Sequence, residues 1–274
     1  MTVEAFLNQA TTSLRESGIE SARLDVLILL EDVLGTNRAR LLAHPEVTLD
    51  DRQTTVLNNF IVQRKKHVPV AYIRGKAPFF GREFTVDEST LIPRPESESM
   101  ISLLLQLHLT KPRIADIGTG SGCLGITAAL ELPQAEIFVS DTSAAALKIA
   151  ARNAERYSLR IHSSLQDLLV QDKRTYDVIL ANLPYVPNGY PINQAAAHEP
   201  TGALFAGADG LDAYRRLWQQ IHERHAAHQP QYVITEALPE QHAALATLAT
   251  TSGYTPQAHE GYAQVFTRGT SPLT

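Results

Sequence analysis

Apolar residues recur at a helical period through the first part of the chain and in short, strand-like runs further on. Leu24, Leu27, Ile28, Leu30, Val33 and Leu34 fall near a 3.6-residue repeat and predict an amphipathic helix, which Gly35 stops. A second helix is predicted from about Asp50 to Lys66. Val56, Leu57, Phe60 and Ile61 form its apolar face, and Asp50 and Asp51 sit where carboxylates suit the helix dipole. No catalytic constellation falls here, so these residues read as a small helical bundle that packs against or recognises something. Between Val68 and Pro95 the chain turns to Pro, Gly and aromatic residues. Phe79-Phe80 and Glu83-Phe84-Thr85-Val86 flank Gly81 as a hairpin would, in a connector too aromatic to be only a flexible linker.

Beyond Pro95 helix and strand patterns alternate. Helices are predicted over Met100–Leu109, Cys123–Leu132 and Ala144–Tyr157. Strands are predicted over Arg113–Ile117, Glu136–Ser140, Tyr176–Ala181 and Gln231–Thr235, with a closing hairpin from Gly253–Thr255 and Gly261–Thr267. This alternation predicts an α/β fold built on an open, mostly parallel, doubly wound sheet, whose ligands bind at the carboxyl ends of the strands.

Composition narrows the class. The chain has 274 residues, room for a catalytic α/β domain with a smaller appended module. Apolar content of 44% and charged content of 19% are those of a globular protein. A formal net charge of −5 counts against non-specific binding to nucleic acid, which usually leaves a basic footprint. The single cysteine, Cys123, excludes an internal disulfide and a multi-cysteine metal site; it reads as a small packed residue, and no metal is expected. Met1–Ala10 lacks a secretory pattern, and no apolar run approaches the ~20 residues that span a bilayer. A cytoplasmic location with no membrane association is therefore expected.

Chemistry concentrates at two predicted strand ends. In Ile114-Ala115-Asp116-Ile117-Gly118-Thr119-Gly120-Ser121-Gly122, a strand enters a glycine turn that lets backbone approach a ligand closely. Gly120, Gly122 and Gly125 also satisfy a dinucleotide spacing, so a nicotinamide enzyme is an alternative at this point. Two carboxylates weigh against it. Asp116 would repel a pyrophosphate but suits an ammonium group; Asp141 ends the next strand, where an acid accepts bonds from ribose hydroxyls. An ammonium beside a ribose points to S-adenosyl-L-methionine.

The second cluster is Ala181-Asn182-Leu183-Pro184-Tyr185. It resembles the Asn/Asp-Pro-Pro-aromatic motif of methyltransferases acting on amino groups of planar, conjugated systems. An amide nitrogen is a poor nucleophile, because its lone pair is delocalised into the carbonyl. Asn182 offers a side-chain oxygen for one N–H and the Leu183 carbonyl an acceptor for the other. Pro184 biases Leu183 towards extended backbone, and Tyr185 offers a flat face for stacking. The transfer then needs alignment more than acid–base chemistry. Read as bare residues, Asn-Leu-Pro-Tyr is also compatible with a simple turn.

Beyond these motifs the chain resembles, nearly end to end, the HemK family of protein-glutamine methyltransferases specific for peptide-chain release factors. The resemblance is carried by Arg23-Leu24-Asp25, Pro69-Val70-Ala71-Tyr72-Ile73-Arg74-Gly75 and Phe80-Gly81-Arg82-Glu83-Phe84, and most specifically by Leu91-Ile92-Pro93-Arg94-Pro95-Glu96-Ser97-Glu98. Glu199-Pro200, Gly207-Ala208-Asp209-Gly210-Leu211 and Tyr214-Arg215 continue it. It implies a class I S-adenosylmethionine-dependent methyltransferase fold, a Rossmann-like, seven-stranded, mostly parallel sheet. A helical substrate-recognition domain over 1–68, a hairpin connector over 69–95 and a catalytic domain over 96–274 are expected, acting as a monomer. The implied substrate is the glutamine of the Gly-Gly-Gln loop of release factors. Cofactor contacts are implied at Gly118, Thr119, Gly120, Ser121, Gly122, Asp141 and Asn182, with the adenine side at Asp167 and Leu168; substrate contacts are implied at Asn182, Leu183, Pro184 and Tyr185.

The sequence departs from the family at Leu183, where the first proline of the motif stands, at Ala206 and Ala208, and at Glu236-Ala237-Leu238. Because only the Leu183 carbonyl is needed, activity is expected to survive the first departure, and the others bear on turnover rate. Asn-Leu-Pro-Tyr is shared with enzymes that dimethylate adenines of ribosomal RNA, so an adenine amino methyltransferase is the alternative. A binding protein that keeps the fold without turnover is a third reading, opposed by the intact Asp116, Asp141, Asn182 and Tyr185.

Overall fold

The computed structural model describes residues 1–269, which divide into two units: Met1–Lys76 with Ile192–His198, and Ala77–Pro191 with the chain from Glu199 onward. The first unit is helical: α1 (Val3–Glu16), α2 (Ala22–Leu34), α3 (Arg38–Ala43), α4 (Asp51–Lys65) and α5 (Val70–Arg74). Its start and stop signals act as expected. Gly35 ends α2 in left-handed backbone, and Asp50 and Gln53 form a reciprocal capping box on α4. Phe6, Leu14, Leu29, Leu30 and Leu57 are buried in one core, and the unit continues past residue 68 because Val68, Val70 and Ile73 pack on it. One expected core position is corrected: Leu24 is 47% exposed. The α2 face turns so that its neighbour Asp25 is buried instead, paired with Arg64 at 2.7 Å and bonded by the Ser21 hydroxyl at 2.9 Å.

The boundary between the units falls one residue into the predicted hairpin, β1 (Lys76–Phe79) and β2 (Arg82–Thr85), the rest of which belongs to the second unit. Phe80 and Gly81 at its tip both have positive φ, the conformation that two-residue hairpin loops favour. Phe79 and Phe84 are buried in the same apolar cluster as the main sheet.

Then follow α6 (Glu98–Gln106), β3 (Arg113–Ile117), α7 (Cys123–Glu131), β4 (Glu136–Asp141), α8 (Ala144–Arg156) and β5 (His162–Leu165). The chain continues through β6 (Val178–Ala181), α9 (Asp212–Glu223), β7 (Tyr232–Glu236), α10 (His242–Thr251), β8 (Tyr254–Glu260) and β9 (Ala263–Arg268). The seven strands of the sheet are ordered β5-β4-β3-β6-β7-β9-β8, all parallel except β9, which pairs antiparallel with β7 and β8. This is the seven-stranded, mostly parallel sheet expected. α6 stops short of the predicted Leu109, where His108 takes positive φ. β5 had no counterpart in the pattern: it is an edge strand whose side chains are largely exposed, so nothing forces apolar alternation on it.

The register puts the chemistry in one place. Ile117 lies beside both Ser140 and Ala181, and Ala181 beside Thr235. β3 is flanked by β4 on one side and β6 on the other, so loops leaving β3 and β6 part over the crevice where such sheets bind ligands. Asn153 of α8 fastens the hairpin to this end. Its Oδ1 accepts from the Thr85 amide at 2.7 Å, and its Nδ2 lies 2.9 Å from the Thr85 carbonyl and 2.8 Å from that of Ser121 in the glycine turn.

Candidate active site

A cavity of about 730 Å³ opens over the carboxyl ends of β3, β4 and β6. Gly118, Thr119, Gly120 and Ser121, after the central strand β3, line it, with Asn182, Leu183 and Pro184 on the β6 side and Asp141, Asp167 and Leu168 on the β4 and β5 side. Asp116, Gly122 and Tyr185 do not form its wall.

The glycine turn is held from within. Gly118 and Thr119 donate their amides to the Ser140 carbonyl at 2.9 and 3.0 Å, and Gly120 donates to Asp141 Oδ2 at 2.9 Å. Gly120 does so at φ +54, backbone that a side chain would strain. Asp141 Oδ1 accepts from the Ser143 amide at 2.8 Å, so the carboxylate is fixed by backbone at both oxygens and still has lone pairs to offer. Asp116 is 1% exposed and lies beneath the turn, its Oδ2 accepting from the Thr119 hydroxyl at 2.6 Å and the Gly125 amide at 2.9 Å. Its Oδ1 is buried with no hydrogen bond among the described residues. Burial pushes this carboxyl up to about 6, against the Thr119 and Gly125 donors, with the nearby Asp141 charge adding to the rise. Desolvation and Asp116 likewise push the Cys123 thiol up to about 12. Asp167 pairs with Arg216, and Leu168 is buried at positive φ.

Long-range side chains build the opposite wall. The Leu183 amide donates to the Tyr214 hydroxyl at 3.3 Å, and that hydroxyl reaches the carbonyls of Ala181 and Glu236, donating to one at a time. Asn182 donates its Nδ2 to Ser97 Oγ at 2.9 Å. The Tyr185 hydroxyl donates to Glu236 Oε1 at 2.9 Å, while Gln241 Nε2 donates to the Tyr185 carbonyl at 2.8 Å and sits 2.7 Å from that of Asp209. Gly210 is required here, because a Cβ on it would stand 2.0 Å from the Tyr185 oxygen. Glu236 is 1% exposed at the end of β7. Burial raises its carboxyl above the ordinary range, opposed by the hydrogen-bonding groups of Ser97, Tyr185 and Asn182.

Residues 5–75 match the PrmC N-terminal domain and residues 97–208 the methyltransferase small domain. A release factor glutamine methyltransferase of Coxiella burnetii is 39% identical over 211 residues, covering 74% of each chain. One from Koribacter versatilis is 35% identical over 230 residues, covering 81% of this chain and 82% of its own. The chain belongs to the release factor glutamine methyltransferase family. Among solved structures, the catalytic domain of hMettl16 in complex with a MAT2A 3′UTR hairpin superposes with a TM-score of 0.54 at 14% identity, covering 84% of this chain and 85% of that one. The ribosomal protein L11 methylase of Lactobacillus delbrueckii subsp. bulgaricus gives 0.50 at 17% identity, covering 70% and 89%. At such identities these two speak for the fold alone.

In this release factor glutamine methyltransferase homologue, several residues of the site gave no chemical signal in the sequence. Arg94 and Glu199 lie in segments that carry only the family resemblance; they form an ion pair, and Glu199 Oε2 accepts the Ile92 amide at 3.0 Å. That joins two stretches at the cavity rim, since Arg94 and Pro200 both line it. Ser97 and Glu236 also stood inside matching or departing segments without a role. Their signal was their place: Glu236 follows the run of apolar and β-branched residues in β7, where a charged residue is costly to bury unless it has work.

Proposed function

We propose that this chain transfers a methyl group from S-adenosyl-L-methionine to the side-chain amide nitrogen of the glutamine in the Gly-Gly-Gln loop of peptide chain release factors. The observation that carries this reading is a single cavity walled by the glycine turn with Asp141 on one side and by Asn182-Leu183-Pro184 on the other.

The residues present suit the cofactor. Asp141 has lone pairs for a ribose diol, and the Asp116 Oδ1 and Ser121 Oγ atoms are buried and unpaired among the described residues. When bound, S-adenosyl-L-methionine supplies an electrophilic methyl group. Gly118, Thr119, Gly120 and Ser121 would hold it by close backbone, Gly122 and Asp116 by keeping that backbone in shape, and Asp167 and Leu168 would flank its adenine side. Asn182 Oδ1 and the Leu183 carbonyl each accept one N–H of the substrate amide, which aims the nitrogen without a general base; methylation makes that nitrogen strongly acidic, so its extra proton leaves to solvent after transfer. Pro184 sets the direction of the Leu183 carbonyl. Tyr185, tied by its hydroxyl and carbonyl, keeps the turn rigid; the stacking face expected of it is not on the cavity wall.

The helical residues 1–68 dock the release factor, 69–95 connect, and 96–274 carry the chemistry. The enzyme works as a monomer in the cytoplasm without binding nucleic acid directly; no helix among the described residues is long and apolar enough to cross a membrane. The relatives' names, together with the formal charge of −5, speak against the adenine-methylating alternative. Incubating the protein with S-adenosyl-L-methionine and either release factor or ribosomal RNA tests the choice. One methyl group on the Gly-Gly-Gln glutamine, located by peptide mass spectrometry, is expected; methyl transfer to RNA alone would sink the proposal.

A further inference from the structure

A carboxylate shut away from water must find donors, and Glu199 has found them at both oxygens. Its side chain is 2% exposed; Oε2 accepts the Ile92 amide at 3.0 Å, and Oε1 forms the ion pair with Arg94 Nη2. Glu199 is thus committed to the strap that carries Ile92 and Arg94. Arg94 itself is satisfied only in part. A guanidinium carries five N–H donors in a rigid fork. The ion pair engages Nη2, while Nε and Nη1 have no hydrogen bond among the described residues. The side chain is 34% exposed and lines the cavity. A buried ion pair is a weak source of stability, because desolvation opposes the attraction. What this one does is hold one half of the fork still and leave the other half open.

The open half stands close to the residues that aim the substrate amide. The Ser97 amide donates to the Arg94 carbonyl at 3.1 Å, and Ser97 Oγ accepts from Asn182 Nδ2 at 2.9 Å. Arg94 is therefore one turn of chain from the group that holds Asn182. Arg216, also on the cavity wall, is paired with Asp167 in the adenine-side segment instead. Because Glu199 already balances its charge, Arg94 suits a neutral oxygen acceptor better than an anion. A glutamine in a Gly-Gly-Gln loop brings two kinds: its side-chain amide oxygen and the main-chain carbonyls before it. A donor on the amide oxygen would favour the form in which the nitrogen lone pair is delocalised, and so would weaken the nucleophile. The main-chain carbonyls carry no such penalty, and glycines have no side chain to keep a guanidinium from them.

We propose that Arg94, pinned by Glu199, is a substrate-binding residue whose open N–H groups donate to a main-chain carbonyl of the two glycines before the methylated glutamine. The inference rests on the amide-methylation reading. It separates two tasks: Arg94 selects the backbone of the loop, while Asn182 and Leu183 aim the amide.

The test uses the full-length protein as wild type, Arg94→Ala and Arg94→Lys, with a release factor as substrate. Arg94→Ala should raise the KM for release factor about 10- to 100-fold, the effect of one lost charge-assisted hydrogen bond. Because that contact is made before and during transfer alike, kcat should stay within about threefold, as should the Kd for cofactor. Arg94→Lys keeps the charge beside Glu199 but loses the fork, and should raise KM about 3- to 10-fold. A sharper probe is a semisynthetic release factor with an ester in place of the peptide bond after one or the other glycine, since an ester carbonyl is the weaker acceptor. One of the two esters should raise KM about 3- to 10-fold with wild-type enzyme and less than about twofold with Arg94→Ala, because the contact is already gone. A penalty undiminished in Arg94→Ala would overturn the proposal, as would an unchanged KM in that variant. A fall in kcat at unchanged KM would overturn it too, because it would put Arg94 on the reacting amide. If Arg94→Ala does not fold, Arg94→Lys takes its place and must show both the raised KM and a reduced ester penalty. If the wild type binds release factor but methylates no glutamine, the functional reading falls, and calorimetric Kd values for the same substrates decide the Arg94 contact. With no binding at all, both fall.

Discussion

The two walls of the cavity are held in opposite ways. The glycine turn and Asp141 are tied by bonds spanning 3, 9 and 21 residues, most of them involving backbone amides. Asn182, Tyr185 and the carbonyl of Tyr185 are tied by side chains 85, 51 and 56 residues away. The first wall needs two adjacent strands, a turn and one tie from Asn153 of α8 to the Ser121 carbonyl. The second needs α6, β7 and the start of α10 all in place, so it should be the more easily disturbed from a distance. Chemistry divides with construction: the local wall suits holding a ligand, the distant one suits aiming a nucleophile.

The largest effect should come from cutting the aiming wall at its centre. Asn182→Ala removes one positioned acceptor without adding bulk, and such losses cost ~100- to 1,000-fold in rate. Cofactor affinity should change little. Leu183→Pro is the contrasting substitution: it gives up the amide bond to Tyr214 at 3.3 Å but keeps the carbonyl, and should slow transfer by less than about tenfold. Single-turnover methylation of a release factor measures both. A near wild-type rate in Asn182→Ala would mean that something else holds the amide.

On the holding wall, Asp141→Ala should weaken cofactor binding by about 1–3 kcal/mol while leaving the rate at saturating cofactor close to wild type. Asp141 also receives the amides of Gly120 and Ser143, so part of the loss reflects a looser turn. Calorimetric titration in a folded variant that shows unchanged affinity would remove Asp141 from the site.

This asymmetry explains what was legible in the sequence. Asp116, the glycines and Asp141 could be read because their partners are neighbours in the chain and their spacing carries the geometry. Asn182 and Pro184 are legible as a motif, yet the side-chain partner of Asn182 is not, because Ser97 meets it only after folding. β5 escaped because an exposed edge strand carries no alternation, and Leu24 misled because helical period alone does not say which face a neighbouring helix covers. Asp25, one residue on, is buried by Arg64 from 39 residues away.

Gly210 lets the aiming wall be loosened without touching a reacting group. At φ +78, with the Tyr185 oxygen 2.0 Å and Gln241 Nε2 2.5 Å from where its Cβ would stand, Gly210→Ala must displace the turn that carries Asn182 and Tyr185. Strained backbone of this kind costs about 1–3 kcal/mol. Thermal unfolding should register that loss, the methylation rate should fall, and cofactor affinity should hold. Equal loss of cofactor affinity would mean the two walls are not independent.

The smallest effect should lie in the segment that carries Asp167 and Leu168, and it tests whether the holding wall is local throughout. Asp172 receives the Tyr176 hydroxyl at 2.6 Å and the Arg174 amide at 2.9 Å, and Arg174 Nε lies 3.0 Å from its Oδ1. Burial alone would raise its carboxyl; the donors of Arg174, Tyr176 and Gln166 overcome that and hold it at about 2, below the ordinary value near 3.8. A carboxyl depressed on folding stabilises the protein in full above the unfolded value and loses that stabilisation as pH falls through the folded one. At neutral pH the shift is worth about 1–2 kcal/mol once solvent screening is allowed for. Asp172→Asn should therefore unfold more readily than wild type at pH 7, with the difference shrinking from about pH 4 downward and closing near pH 2. Urea denaturation across that range measures it. Gln166, bonded to the Leu168 carbonyl at 2.8 Å, lines the cavity, so the same variant should lose some cofactor affinity while leaving single-turnover transfer at saturating cofactor intact. A drop in that transfer rate would show that the segment reaches the aiming wall, and the division between near and distant construction would not hold.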